Sequence, residues 1–263
     1  MLTGKIGVTT ARNATGSAAL AQAQAWARQL GAVFIVRPHD TSIADIMQQH
    51  DLTALVVGEK EGPRIYTAQD SFSYHPGMAV LRLQQLKRDA AKEHLIAALD
   101  LQPGSRVLDA TLGLAADAAI SAYVVGESGC VVGLEASPLL HFVVSYGLAH
   151  YVAEDEDLTK AMRRIQPVQA LAADYLLQCE PKSFDVVYFD PMFRHPISGA
   201  KGIEALRPLS YDAPLDMLTL ALAQRAAKRV VIKERNEYIL RKYGCEKFIG
   251  GRYSRVKYGL LGC

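Results

Sequence analysis

Short apolar runs at residues 5–8, 33–36 and 53–57 alternate with two stretches whose apolar positions recur at helical spacing. The first, residues 17–30, is Ala-rich and carries Trp26; the second, residues 42–50, contributes Ile43, Ile46 and Met47. The order predicts β-α-β-α-β. Arg64-Ile65-Tyr66-Thr67 adds a strand after the turn-forming Gly62-Pro63, completing a small N-terminal α/β domain over residues 1–70. Residues 71–102 form a connecting segment, in which 76–99 reads as one helix with Met78, Leu81, Leu86 and Leu95 apolar and Pro76 tolerated in the first turn.

Pro103-Gly104 breaks the chain, and from there strands and helices alternate. Strands are expected at 106–109, 130–135, 168–172, 184–189 and 229–233. Helices are expected from about Ala115, from Pro138, after Asp174, and over 212–227 and 236–243. Such alternation demands a largely parallel sheet covered by helices. Two closing strands near 246–249 and 256–261 have too little chain between them for a parallel crossover, so they pair as an antiparallel hairpin through Gly250-Gly251. A seven-stranded sheet that ends this way has the arrangement of class I methyltransferases, whereas dinucleotide dehydrogenases continue with parallel crossovers. Residues 103–263 are therefore expected to be an α/β, Rossmann-like, seven-stranded domain.

Composition narrows the class. Of 263 residues, 50% are apolar and 21% charged, which suits a globular chain with a real core. No run of about 18 apolar residues is present, so no membrane partner is expected. Met1-Leu2-Thr3-Gly4-Lys5 lacks the pattern of a secretion signal, and a cytoplasmic location is the default expectation. Cys130, Cys179, Cys245 and Cys263 are scattered without a Cys-x-x-Cys pair and the seven His do not cluster, so free thiols and no metal site are expected. Net charge is only +2, yet residues 228–263 hold ten Lys or Arg against three Glu, a net +7 that leaves −5 on the rest. A basic end on an acidic body suits a polyanion such as nucleic acid; a solvated basic tail would look the same.

Four motifs carry chemistry. Val107-Leu108-Asp109-Ala110-Thr111-Leu112-Gly113-Leu114-Ala115-Ala116-Asp117 is an apolar strand ending in an acid and a small-residue turn, where open α/β sheets bind ligands. A single Gly113 stands where a dinucleotide fingerprint has three glycines, which counts against NAD. Glu135 ends the next strand, 26 residues after Asp109, and a carboxylate there can accept both hydroxyls of a ribose. Ala173-Asp174 follows the third strand, and its carboxylate suits an adenine amino group or an N-cap. Asp190-Pro191-Met192-Phe193 ends the fourth strand. An exocyclic base amine is a poor nucleophile because its lone pair is delocalised into the ring. A carboxylate and a backbone carbonyl accepting its two N–H bonds would favour attack, with an aromatic face holding the base flat. A strand-ending Asp-Pro turn is the plain alternative.

Together with Lys228-Arg229-Val230-Val231-Ile232-Lys233, these motifs resemble the bacterial small-subunit ribosomal RNA guanine-N2 methyltransferase family, the RsmJ type, over about residues 103–240. The resemblance implies S-adenosylmethionine as cofactor, held by Asp109, Gly113, Ala116, Asp117, Glu135, Ala136, Ala173, Asp174 and Asp190. Ala116 departs from the Arg usual there, and Ala136 from a basic or polar residue. His75, with Tyr74, lies in a segment that matches the family poorly; it suits a lid over the cofactor's carboxylate, and a structural turn leading into the helix is the plain alternative. Catalysis falls to Asp190, Pro191 and Phe193. RNA contact falls to Lys228, Arg229 and Lys233, extended by the interleaved Arg252, Arg255 and Lys257 of the tail, although strand-end charges and a two-faced hairpin would give the same patterns. The implied partner is ribosomal RNA or the small ribosomal subunit. Rival expectations are an adenine-N6 or protein-amide methyltransferase, or a non-catalytic RNA-binding assembly protein.

Overall fold

A computed structural model describes residues 4–14, 16–191, 214–251, 254 and 256–262. Strand β1 (Ile6–Thr10) lies between β2 (Val33–Phe34) and β3 (Ala54–Glu59), parallel to both. Strands β4 (Gly62–Tyr66) and β5 (Ser71–Ser73) continue antiparallel, giving the order β2-β1-β3-β4-β5. Helix α1 (Ser17–Leu30) ends at left-handed Gly31. Helix α2 (Ile43–Gln49) starts on a capping box in which Ser42 and Asp45 satisfy each other's backbone N–H. Ile35, Ile46, Met47, Leu52, Leu55 and Val57 form one core of this sheet.

By compactness the chain divides into two units, and the first takes residues up to His75 together with Ser137–Gly147. Trp26 explains the second piece. Its ring meets Phe142 and Tyr146 edge-on at centroid distances of 5.6 and 5.5 Å, and both belong to helix α6 (Pro138–His150).

The other unit is built on strands β6 (Arg106–Asp109), β7 (Cys130–Glu135), β8 (Ile165–Gln169), β9 (Phe184–Phe189), β10 (Ala227–Glu234), β11 (Lys247–Ile249) and β12 (Lys257–Leu261). Their order is β11-β12-β10-β9-β6-β7-β8. Strand β12 runs antiparallel to β10 and β11, while the other neighbours pair in parallel, as the sequence predicts for a class I methyltransferase sheet. The loop between β11 and β12 is longer than a Gly-Gly turn, since Ile249 pairs with Tyr258. One face of the sheet buries Leu108, Leu134, Val187, Phe189, Val230 and Ile232 against Leu176 of helix α8 (Ala172–Gln178), Leu220 and Ala223 of α9 (Met217–Ala226) and Leu240 of α10 (Glu237–Lys242).

Several elements differ from the sequence expectation, among them strand β5, which lies where a connecting segment was expected. The helix over 76–99 is α3 (Gly77–Arg88), a 3-10 turn (Ala90–Lys92) and α4 (His94–Leu99). The break comes at Asp89, whose carboxylate takes the Ala91 N–H and holds its own backbone extended. Helix α7 (Glu156–Arg164) was not foreseen. It carries Glu156 and Asp157 in its first turn, Arg163 and Arg164 in its last, and an Asp155 cap, and it runs straight into β8, which therefore starts three residues early. Finally, α8 takes in Asp174 as a first-turn residue and not as the cap. Helix α5 (Ala116–Val125) follows β6 as expected. Among the described residues no helix is long and apolar enough to cross a membrane, and no cluster of His, Cys, Asp or Glu could hold a metal ion.

Gly147 gives a test in which two rules disagree in sign. Inside a helix, Gly→Ala is favourable by about 1 kcal/mol. Here the new Cβ would lie 2.7 Å from Tyr74 Cβ and closer still to the ring, atoms that cannot swing away. Gly147→Ala is expected to destabilise by about 1–3 kcal/mol in urea unfolding. A gain in stability would mean that Tyr74 does not pack there.

Candidate active site at the carboxyl edge of the sheet

The carboxyl ends of β9, β6, β7 and β8 lie side by side, and an acid stands at or just beyond each: Asp190, Asp109, Glu135 and Asp174. The chain leaves β6 for β7 on one side and returns to β9 on the other. The crevice at such a switch point, where open α/β sheets bind ligands, falls between Asp109 and Asp190.

The loop after β6 is tied to both neighbouring strands. Ala110 N–H donates to the Tyr188 carbonyl (2.8 Å) and Leu112 N–H to the Leu134 carbonyl (2.8 Å). The Asp190 N–H donates to the Thr111 hydroxyl oxygen at 2.6 Å. Leu112 lies over Gly133, where a Cβ would come within 3.0 Å of its Cδ2. Gly113 and Ala115 both take left-handed φ, +50° and +60°. For Ala115, fully buried at the start of α5, that conformation is strained.

Charge is concentrated here. Asp109 is buried, and its carboxylate takes the Thr111 N–H at 3.1 Å. Burial raises its pKa to about 7, with the Thr111 N–H pulling down and the Asp190 charge adding to the rise. Asp117, in the first turn of α5, accepts the Tyr188 hydroxyl (2.7 Å) and the Lys233 ammonium (3.1 Å) on Oδ2, and pairs through Oδ1 with Arg82. Lys233 also donates to Asp190 Oδ2 at 2.6 Å, so one ammonium joins the two acids. Arg82 is held at its other edge by the buried Glu93, with Nε to Oε2 at 3.3 Å. Burial works against the Arg82 charge, but Glu93 outweighs it and the guanidinium pKa is raised. Burial pushes the Tyr188 hydroxyl well above its ordinary range, as does the nearby Asp190 charge.

Of the residues singled out in the sequence, Asp109, Gly113, Ala116, Asp117, Glu135, Ala136, Ala173, Asp174, Asp190 and Pro191 come together along this edge. His75 falls in the other compact unit, exposed. Phe193, Arg252 and Arg255 lie outside the described residues. The basic residues do not form one patch. Lys228 and Arg229 stand at the opposite, amino end of β10, where Lys228 pairs with Asp185 (2.7 Å) and Arg229 with Asp100 (3.0 Å) and the Ala98 carbonyl. Lys233 is engaged by the two acids, and Lys257 donates to the Gly251 carbonyl at 2.9 Å. Arg82, Glu93, Tyr188 and the Thr111 hydroxyl are absent from the sequence reading. Nothing in the sequence sets Arg82 and Glu93 apart, since the same segment also carries Lys87, Arg88, Asp89 and Lys92.

Comparison with known proteins bears on the chemistry. A family profile described as SAM-dependent methyltransferase matches residues 48–254. The Bacillus subtilis (strain 168) protein YpiP is 37% identical over 192 residues, 73% of this chain and 74% of its own. Ribosomal RNA small subunit methyltransferase J of Pseudomonas paraeruginosa is 38% identical over 145 residues, 52% of this chain and 53% of its own, so the chain matches about half the length of that relative. Among solved structures, a SAM-dependent methyltransferase from Neisseria gonorrhoeae superposes with a TM-score of 0.62 at 19% identity over 97% of this chain and 95% of that one, a likeness of fold.

Asp109 makes stability depend on pH in a direction opposite to that of a surface carboxylate. Its folded pKa of about 7 lies above the ordinary 3.8, so the folded state holds a proton that the unfolded state releases. The stability this gives is complete below the unfolded value and is lost as pH rises through about 7. Chemical denaturation of the ligand-free protein across this window should show that loss, and Asp109→Asn should flatten it. An unchanged pH profile in the variant would place the titration elsewhere.

Proposed function

The chain belongs to the family of SAM-dependent methyltransferases, and from that premise we propose that it methylates an exocyclic amine of an RNA base, N2 of a guanine in small-subunit ribosomal RNA. S-adenosylmethionine is its methyl donor, and supplies a methyl group made electrophilic by a sulfonium. The residues at the sheet edge fit this donor. Glu135, buried at the end of β7, suits the two ribose hydroxyls. The small residues of the loop after β6 leave its backbone open to close approach.

The observation that carries the acceptor reading is the setting of Asp190-Pro191 at the open end of β9, beside that crevice. Lys233 and Thr111 fix the Asp190 residue from two sides. In this reading the Asp190 carboxylate and the Pro191 carbonyl accept the two N–H bonds of the amine and align its nitrogen with the methyl carbon, which is catalysis by orientation. Phe193 supplies the stacking face. The relatives named ribosomal RNA small subunit methyltransferase J support the choice of rRNA over other acceptors.

Two variants test the reading. Charge-assisted hydrogen bonds contribute about 1.5–3 kcal/mol, so Glu135→Ala should weaken S-adenosylmethionine binding about tenfold or more by calorimetry. An unchanged dissociation constant would remove Glu135 from the site. Asp190→Ala should lose most transfer of labelled methyl to 30S subunits or naked rRNA at saturating donor while remaining folded. Near-wild-type turnover would sink the amine-orienting role. Label appearing on adenine N6 or on a protein amide, with rRNA guanine unlabelled, would replace the guanine-N2 acceptor.

A further inference from the structure

The +7 of residues 228–263 is divided by the fold. Its first two cations, at the amino end of β10, are matched by Asp185 and Asp100. Lys233, at the carboxyl end, is taken up by Asp117 and Asp190. Just beyond it, the chain emerges as α10 and β11 and carries Arg235, Arg241, Lys242 and Lys247, all exposed. Three carboxylates, Glu234, Glu237 and Glu246, share this stretch with the four cations; Glu234 takes the Arg235 N–H, and Glu237 lies 4.0 Å from Lys257.

Two aromatic rings are set among these cations. The Lys242 ammonium sits 4.6 Å from the Tyr238 ring centroid, and the Arg241 guanidinium 4.7 Å from that of Phe248. Tyr238 is 63% exposed. A cation held on a ring has already lost rotamer freedom, so it meets a phosphate or a base at smaller entropic cost than a free lysine would. Rings and cations side by side, without carboxylates dominating, match single-stranded nucleic acid, which needs phosphate neutralisation and stacking together.

We propose that the α10–β11 face, centred on Tyr238, Arg241, Lys242 and Phe248, is the docking surface for single-stranded RNA, and that the amino end of β10 takes no part in binding. The proposal rests on the RNA reading above and gives it a path. Arg235 begins this face two residues after Lys233, so a strand lying on it leads to the carboxyl edge where Asp190 stands.

The test is anisotropy of labelled single-stranded RNA titrated with full-length protein at several salt concentrations. The triple variant Tyr238→Ala/Arg241→Ala/Lys242→Ala should bind about tenfold or more weakly. Its salt slope should fall by about 1.4, the loss of two cations from a single strand. Lys228→Ala should bind as wild type. Thermal melting and S-adenosylmethionine affinity of the triple variant should be unchanged, which separates lost docking from lost folding. Equal affinity and slope for wild type and triple variant, or no RNA binding by wild type, would overturn the proposal. Wild type that binds RNA through this face yet labels no rRNA would leave the face in place and bring down only the rRNA acceptor reading.

Discussion

One ammonium holds the acidic carboxyl edge of the sheet together. Lys233 lies between Asp117, in helix α5 that follows the loop after β6, and Asp190, just past the end of β9. Burying like charges in one crevice is costly, by several kcal/mol for each unpaired ion. The fold meets that cost in two ways. Lys233 from β10 and Arg82 from α3 bring positive charge to the acids from elements that carry none of them. Asp109, which neither cation reaches by hydrogen bond among the described contacts, is instead raised towards neutrality by burial. The strand order follows the same logic: only with β10 beside β9 can a residue at the end of β10 touch the end of β9.

The loop after β6 is rigid for a related reason. Its backbone is bonded to β7 and β9, and the Thr111 hydroxyl fixes the amide of Asp190. Left-handed Ala115 survives because bonds on both sides determine it: its own N–H reaches the Leu112 carbonyl, and its carbonyl accepts the Ala119 N–H. Small side chains at 110, 113, 115 and 116 let the loop lie close against its neighbours, and hydrogen bonds to the two flanking strands hold it there.

Most of the sheet was legible because apolar runs bounded by Gly and Pro mark parallel strands directly, and the closing hairpin followed from the short chain between its strands. Helix α7 was missed although Asp155 announces its start and Arg163-Arg164 its end, because attention to apolar runs passes over a helix that buries only Leu158, Ala161 and Met162. The break at Asp89 was hidden for another reason: a side chain that bonds its own backbone competes with the helix, and apolar periodicity does not register it.

The acids that meet at this edge were legible, but Arg82 was not, and Lys233 was singled out for RNA contact and not as their partner. An acid at the end of a parallel strand is placed by topology, so Asp109, Glu135 and Asp190 reach one edge whatever the rest of the chain does. A cation finds its partner only through tertiary packing, and Arg82 and Lys233 meet Asp117 across 35 and 116 residues of sequence. Lys228 and Lys233 read alike in one dimension, five residues apart on one strand. Strand direction sends one to the edge that carries the site and the other to the edge that does not. A charge count along the chain therefore reports how much positive charge a domain has, and strand polarity decides how much of it faces a polyanion.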